Sequence, residues 1–131
     1  MQDLRARFGL ALLFISHDLD IVELLCERVA VLYLGRVMEI GPTELVMHQP
    51  RHPYTRALLA ASPKADPDAP KARRLIMGDI PSPLNPPSGC VFRTRCRQAQ
   101  SRCAEERPVL REDQQGRWFA CHFDLAPEEA I

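Results

Sequence analysis

Apolar positions fall into two unbroken runs early in the chain and then into short amphipathic stretches. Leu10-Ala11-Leu12-Leu13-Phe14-Ile15 is apolar throughout, the pattern of a strand covered on both faces in a parallel sheet. The second run, Val29 to Leu34, leads through Gly35-Arg36 into Val37-Met38-Glu39-Ile40, which predicts a strand, a Gly-X type II′ turn and a strand. Between the runs, Asp18 is placed to cap a helix from about Leu19 to Glu27. Asp20 and Glu23 suit its positive end, and Ile21, Val22 and Leu25 form its apolar stripe. Upstream, Gln2 to Arg7 reads as the last turns of a helix with Gly9 as its C′ stop. Two short helices are expected at Pro42 to His48 and Pro53 to Ala61, each with proline in the first turn, where its missing N–H costs nothing. Ser62-Pro63 ends the second. Within it Tyr54, Leu58 and Leu59 share helical spacing and are expected to cover the sheet edge by packing alone.

Periodic apolar pattern stops near residue 62, and most of the twelve prolines punctuate the chain between Pro42 and Pro108. Four of the five cysteines follow residue 89. The chain therefore divides into an α/β region at 1–61, a linker at 62–74 and a loop-rich, cysteine-containing region at 75–131. No internal repeat is present. A strand apolar on both faces needs helices on both sides, yet residues 10–40 supply three expected strands and one substantial helix, too few to stand alone. These residues are expected to be the tail of a larger α/β sheet, the alternative being a small domain that completes its sheet by dimerising.

Charge narrows the partners. Seventeen basic and seventeen acidic residues cancel, which argues against broad electrostatic capture of nucleic acid or anionic membrane. No segment approaches the roughly 20 apolar residues that span a bilayer, and Asp3, Arg5 and Arg7 do not fit a signal-peptide layout. A cytosolic location is expected.

Two places carry candidate chemistry. Ser16-His17-Asp18 puts an imidazole where a strand gives way to a helix, the edge at which open α/β sheets bind ligands; the plain reading is a histidine that caps the next helix. Cys90, Cys96, Cys103 and Cys121 are separated by five, six and seventeen residues, and converge on one centre only if the loops between them fold back. On spacing alone three readings stay open: structural zinc, although its short C-x₂₋₄-C knuckles are missing; two disulfides, which a reducing cytosol disfavours; and an iron–sulfur cluster, which tolerates longer spacings. His122 is read as a loop-satisfying histidine, and Cys26 as a small buried hydrophobe. Arg93, Arg95, Arg97, Arg102, Arg107 and Arg111 surround the cysteines, but Glu105, Glu106, Glu112 and Asp113 offset them, which suits a solvated mixed-charge surface better than RNA binding. One or two of these arginines are candidates to hydrogen-bond the sulfurs of a bound centre.

Taken together, Leu13 to Leu19, Arg28 to Glu39, His52-Pro53-Tyr54-Thr55-Arg56-Ala57-Leu58-Leu59, Pro81-Ser82-Pro83, Gly89-Cys90-Val91-Phe92, Arg95-Cys96, Cys103, Pro108 and Cys121-His122 closely resemble the C-terminal part of the ATP-binding subunits of bacterial oligopeptide and dipeptide ABC importers. Ser-His-Asp alone is weakly specific; the His-Pro-Tyr-Thr segment with the cysteine tail is far more so. The resemblance implies the end of a P-loop NTPase sheet followed by the cysteine region. It implies that His17 is the switch histidine that contacts the γ-phosphate of ATP, and that the four cysteines hold a [4Fe–4S] cluster, with zinc as the alternative. It also implies a second ATP-binding subunit and membrane permease subunits as partners, at the cytoplasmic face of the membrane. The departures are large. None of the six glycines precedes a lysine, so no G-x-x-x-x-G-K-[ST] phosphate loop exists, and the family's glutamine loop, Ser-Gly-Gly signature and acidic magnesium-binding strand are missing. The expectation is a fragment of such a subunit, with ATP and Mg bound only in the intact parent. The alternative is a stand-alone iron–sulfur or zinc module that docks on a transporter, and a weaker one a nucleic-acid-binding zinc module.

Overall fold

The computed structural model describes residues 7–62 and 76–125. Helix α1 (Leu19–Leu25) opens where Asp18 accepts the Asp20 and Ile21 backbone N–H groups at 3.1 and 3.2 Å. It stops two residues short of expectation, with Cys26 at its C-cap. Strands β1 (Arg28–Tyr33) and β2 (Arg36–Pro42) form an antiparallel hairpin. Its turn differs from the expected type II′: Leu34 and Gly35 are the two central residues, with φ 47° and 72°. Two successive positive φ values give the type I′ twist that suits a two-residue hairpin.

Helix α2 (Thr43–His48) follows without a break, Pro42 serving as N-cap rather than first helical residue. Helix α3 (Pro53–Ala61) does begin with its proline, and His52 is its N-cap. Its fully buried residues are Thr55, Arg56 and Ala57, while Tyr54, Leu58 and Leu59 are half-buried. The most buried face is thus centred on Thr55, Arg56 and Ala57 rather than on the expected stripe, of which Tyr54 packs against the apolar core. Beyond residue 76 come a 3₁₀ turn (Arg93–Arg95), helix α4 (Ser101–Glu105) and the short strands β3 (Arg111–Glu112) and β4 (Trp118–Phe119).

The sheet runs β1-β2-β4-β3 with every pair antiparallel. Glu39 and Ile40 of β2 pair with Phe119 and Trp118 of β4, so the cysteine region completes a sheet begun before residue 42. Tyr33, Met38, Val91 and Phe92 form the apolar core, flanked by Tyr54, Ile76, Cys90 and Cys96. Tyr33 meets Phe92 edge-on at 5.3 Å and Tyr54 at 4.7 Å, geometry that aromatic quadrupoles favour.

One expected strand is not formed. Leu10 to Ile15 pairs with nothing among the described residues, and Leu13 and Ile15 are 92% and 89% exposed. A parallel strand needs hydrogen-bonding neighbours on its flanks, and the hairpin sheet turns its own edges elsewhere. The helix end expected at Gln2 to Arg7 lies outside the described residues apart from Arg7, which is helical; Gly9 behind it has φ 61°, as a C′ glycine should. The linker at 62–74 lies outside them apart from Ser62.

Candidate functional site

The cysteine loops do fold back. Cys90, Cys96, Cys103 and Cys121 all line one small cavity of about 20 Å³, together with His52, Phe92 and His122. Gly89 makes the convergence possible. Its φ of 62° and its missing side chain let the Cys90 N–H reach the Cys103 carbonyl at 2.8 Å. The 3₁₀ turn then swings Cys96 back, as Cys96 N–H bonds the Arg93 carbonyl at 3.3 Å. Cys121 arrives from the far side on the end of β4, where the Ala120 N–H donates to the Met38 carbonyl at 2.8 Å.

The sulfurs share a local geometry. The Cys90 sulfur faces backbone donors of Phe92 and Arg93, that of Cys96 the Gln98 backbone, and that of Cys121 the Phe123 backbone. Each is a donor two or three residues downstream, a pattern that favours a negatively charged sulfur. Burial acts the other way and more strongly. It raises the Cys90 and Cys121 thiols, and pushes Cys96 up to about 11 with a further contribution from the neighbouring thiols. Burial thus favours the protonated thiol at Cys90, Cys96 and Cys121, and none of the four cysteines is in a disulfide. Among the described residues no set of three or more His, Cys, Asp or Glu groups is already gathered tightly enough to grip a metal ion. In number and kind, four soft sulfur donors, three of them facing backbone N–H groups, suit a four-thiolate centre.

A histidine to which the sequence analysis gave no role of its own lines this cavity. His52 is almost fully buried, its Nδ1 accepts the Tyr54 N–H at 3.0 Å, and its ring lies 6.0 Å from that of Phe92. Its own N–H donates to Glu39 at 3.0 Å. Burial lowers its pKa to about 4 despite a hydrogen bond to the Ala120 backbone. The available signal was positional, since a polar residue directly before a proline at the first helical position is an N-cap.

That neutral ring sets a pH dependence. Because the folded pKa lies below the ordinary 6.5, between pH 6.5 and about 4 the unfolded chain binds a proton that the folded chain refuses. Stability is lost as the pH falls through this window, by about 3 kcal/mol at its acid end. Glu39, whose carboxyl burial raises above its usual range, acts in the opposite sense by taking up its proton early in the folded state. Comparing urea unfolding of the wild-type chain and a His52→Gln variant, at neutral pH and near pH 4.5, isolates the histidine; parallel losses in both would contradict its assignment.

A second buried cluster braces the cavity from behind. Arg117, with a fully buried side chain, donates to Asp113 Oδ2 at 2.9 and 2.7 Å, to the Leu45 carbonyl at 3.0 Å and to the Gln49 carbonyl. Its Nε lies 3.8 Å from Glu39 Oε1, and that carboxylate also accepts the Arg51 N–H at 2.9 Å. Although burial works against it, these partners hold the Asp113 carboxyl below its usual range. Gly41 admits the arginine: a Cβ there would stand 2.9 Å from that of Arg117.

The other anticipated residues are placed apart. His17 is exposed and does not line the cavity, and Ser16 Oγ accepts the Asp18 N–H at 2.9 Å. Cys26 is half-buried at the end of α1 rather than in the core. His122 Nε2 lies 2.9 Å from the Glu106 carbonyl at the cavity rim. Several of the arginines are engaged locally: Arg93 with Ser88, Arg95 with Met77 and Tyr33, and Arg102 with Glu106. Arg111 donates to the Cys121 carbonyl at 3.0 Å while stacking over Phe119 at 4.5 Å.

Residues 38–103 match the family model described as "Oligopeptide/dipeptide transporter, C-terminal region". The chain belongs to this family. Within it, the chain is 59% identical over 124 residues to a putative peptide import ATP-binding protein of Brucella ovis, covering 95% of this chain and 39% of that protein. It is 48% identical to a putative oligopeptide transport ATP-binding protein of Bacillus subtilis, covering 94% of this chain and 38% of the relative. With the dipeptide transport ATP-binding protein of Haemophilus influenzae the identity is 46%, over 95% of this chain and 38% of the relative. The chain thus spans about two fifths of the length of these relatives. Its matched residues run from the strand that carries Glu39 to Cys103, and so include His52 and three of the four pocket cysteines.

Proposed function

We propose that this chain provides the C-terminal part of the ATP-binding subunit of a bacterial ABC importer of oligopeptides or dipeptides, a machine in which ATP binding and hydrolysis drive peptide uptake. The observation that carries the reading is identity of 46–59% along nearly the whole chain to relatives named as ATP-binding proteins of peptide transport. In that setting residues 1–61 belong to the nucleotide-binding domain, a P-loop NTPase sheet, and residues 75–131 form its cysteine-rich C-terminal region after the linker at 62–74. The uncovered run Leu10 to Ile15 supports this, since it has the composition of a buried parallel strand and no partner among the described residues. His17, at the end of that run, then contacts the γ-phosphate and helps to position the attacking water. A second ATP-binding subunit and permease subunits are its partners, at the cytoplasmic face of the membrane. No helix among the described residues is long and apolar enough to cross a membrane, which suits a peripheral subunit.

The test is a chimera. The Haemophilus influenzae relative, with its matching segment replaced by this chain, is expected to hydrolyse ATP and support dipeptide uptake. His17→Ala in the chimera lowers turnover at least about tenfold, a positioning loss of the ordinary size. The 131-residue chain alone, which has no phosphate loop, turns over no ATP. A folded chimera with native subunit assembly but no uptake would refute the assignment.

Cys90, Cys96, Cys103 and Cys121 are proposed as the ligands of a [4Fe–4S] cluster. Convergence on one cavity and the downstream backbone donors support this set. When bound, the cluster supplies a four-point cross-link and a group able to accept an electron. The chain's part is to release the thiol protons and to aim its backbone N–H groups at the resulting thiolates. Zinc is the second reading. It is favoured by the cavity of about 20 Å³, room for roughly one water-sized sphere. Anaerobic purification is expected to yield iron and acid-labile sulfide in equal amounts. Zinc without sulfide would overturn the cluster in favour of the ion.

A further inference from the structure

Cys121 stands apart from the other three thiols in the chain. Cys90, Cys96 and Cys103 lie within fourteen residues of sequence and are tied to one another through the Cys90–Cys103 backbone bond, whereas seventeen residues and the β3–β4 hairpin separate Cys103 from Cys121. The β2–β4 pairing, the Ala120 bond to Met38 and the Arg111 bond to the Cys121 carbonyl bring its backbone up to the others, and His52 lines the cavity where all four meet. One edge of the ring, Nδ1, accepts the Tyr54 N–H at 3.0 Å. With that nitrogen an acceptor, the neutral ring carries its proton on Nε2, free to donate to the Ala120 backbone carbonyl. Ala120 immediately precedes Cys121. The face of the ring meets Phe92, two residues after Cys90, at 6.0 Å. The backbone that carries the ring is held as well, because the His52 backbone N–H donates to the Glu39 carboxylate at 3.0 Å.

We infer that His52 is a positioning residue for the thiol site: bonded to α3 through Nδ1 and to the residue before Cys121 through Nε2, it sets Cys121 against Cys90. The inference rests on the four cysteines being a metal site. It makes the first turn of α3 part of that site, so the region before the linker and the cysteine tail form one unit rather than a domain and an appendage.

The two ring nitrogens can be removed one at a time. In His52→Asn the amide oxygen stands where Nδ1 was and keeps the cap, while the donor to Ala120 is lost. In His52→Gln the amide nitrogen stands where Nε2 was and keeps that donor, while the cap is lost. The probe is cobalt(II), titrated anaerobically into the full reduced chain and read by its thiolate-to-cobalt absorption. Asn is expected to weaken cobalt binding about 10–100-fold, the usual cost of losing a contact that orients a ligand, and to reduce the intensity of the four-thiolate band. Gln is expected to retain near wild-type affinity. A merely structural histidine gives a different result, since affinity would then follow unfolding free energy; Val46→Ala, at a fully buried site away from the thiols, serves as the destabilised control and should bind as wild type. Equal affinity of Asn and wild type, or equal losses in Asn, Gln and the Val46 control, would overturn the inference.

A second readout needs no metal. Iodoacetamide labelling of the metal-free chain, resolved by peptide mass spectrometry, is expected to modify Cys121 at least about fivefold faster in the Asn variant, with Cys90 and Cys103 unchanged, if local opening there costs about 1 kcal/mol less. Wild-type chain that binds no cobalt would refute the metal site itself. The labelling pattern would then still decide whether His52 holds Cys121 in place, and uniform rates in both chains would overturn that too.

Discussion

Arg117→Met is expected to lower unfolding stability by about 3–5 kcal/mol, the usual result of removing one partner from a buried charge cluster. Four groups are left behind. The Asp113 and Glu39 carboxylates lose their cation, the Leu45 carbonyl keeps only the Gln49 N–H of its two donors, and the Gln49 carbonyl loses the guanidinium bond. Those carbonyls belong to α2 and its C-cap, Gln49, whose N–H closes the helix on the Leu45 carbonyl. Methionine matches the length of the arginine stem but offers no donor, so these acceptors lose the charged bonds that offset their desolvation and keep only backbone donors, where they have any. Arg117→Lys should recover only a minor part, because a single ammonium cannot span the fork that Arg117 places between Asp113 and two carbonyls. Urea denaturation of the full chain measures both. A loss below about 1 kcal/mol for the methionine variant would mean that water reaches these groups and that the bracing role is wrong.

Gly89→Ala should be nearly as damaging and should also empty the thiol site. With φ at 62°, an alanine bears about 1–2 kcal/mol of left-handed strain. Its Cβ would stand 2.3 Å from the Cys103 carbonyl oxygen and 2.9 Å from the Ala104 carbonyl carbon. Backbone atoms cannot rotate aside as a side chain can, so an overpacking cost of about 1–3 kcal/mol follows. Relief comes only by parting the Cys90 and Cys103 segments, breaking their 2.8 Å hydrogen bond. Gly116→Ala is the matched control: its φ is 76° but a Cβ there meets nothing within 4 Å. It should show the strain alone. Thermal unfolding separates the pair, and metal content of the purified variants reports the site. Equal shifts in both variants would show that the close approach at Gly89 carries no energy.

Local chemistry made much of this architecture legible. The Asp18 cap, the strands around Gly35, and proline at the start of α3 each follow from one or two residues whose preferences act over a single turn. The type of turn at Gly35 was misread because the twist of the paired strands, rather than the glycine alone, selects Leu34 and Gly35 as its centre. The strand at Leu10 to Ile15 was a sound reading of composition that finds no neighbour to pair with among the described residues, since a strand exists only through its partners.

What the sequence determined by itself is the inventory and the kinship: four cysteines with their spacing, a histidine after an apolar run, no phosphate loop, and the segments that resemble peptide-importer ATP-binding subunits. Tertiary structure alone decided which of these meet. It brought Cys121 to the other three across a hairpin, set His52 beside the thiols, and buried Arg117 and Glu39 together. The reason is physical. Capping and turn preferences are set by atoms within four or five bonds of each residue, whereas desolvation, close approach and convergence depend on chain segments more than fifty residues apart. No local pattern carries that information.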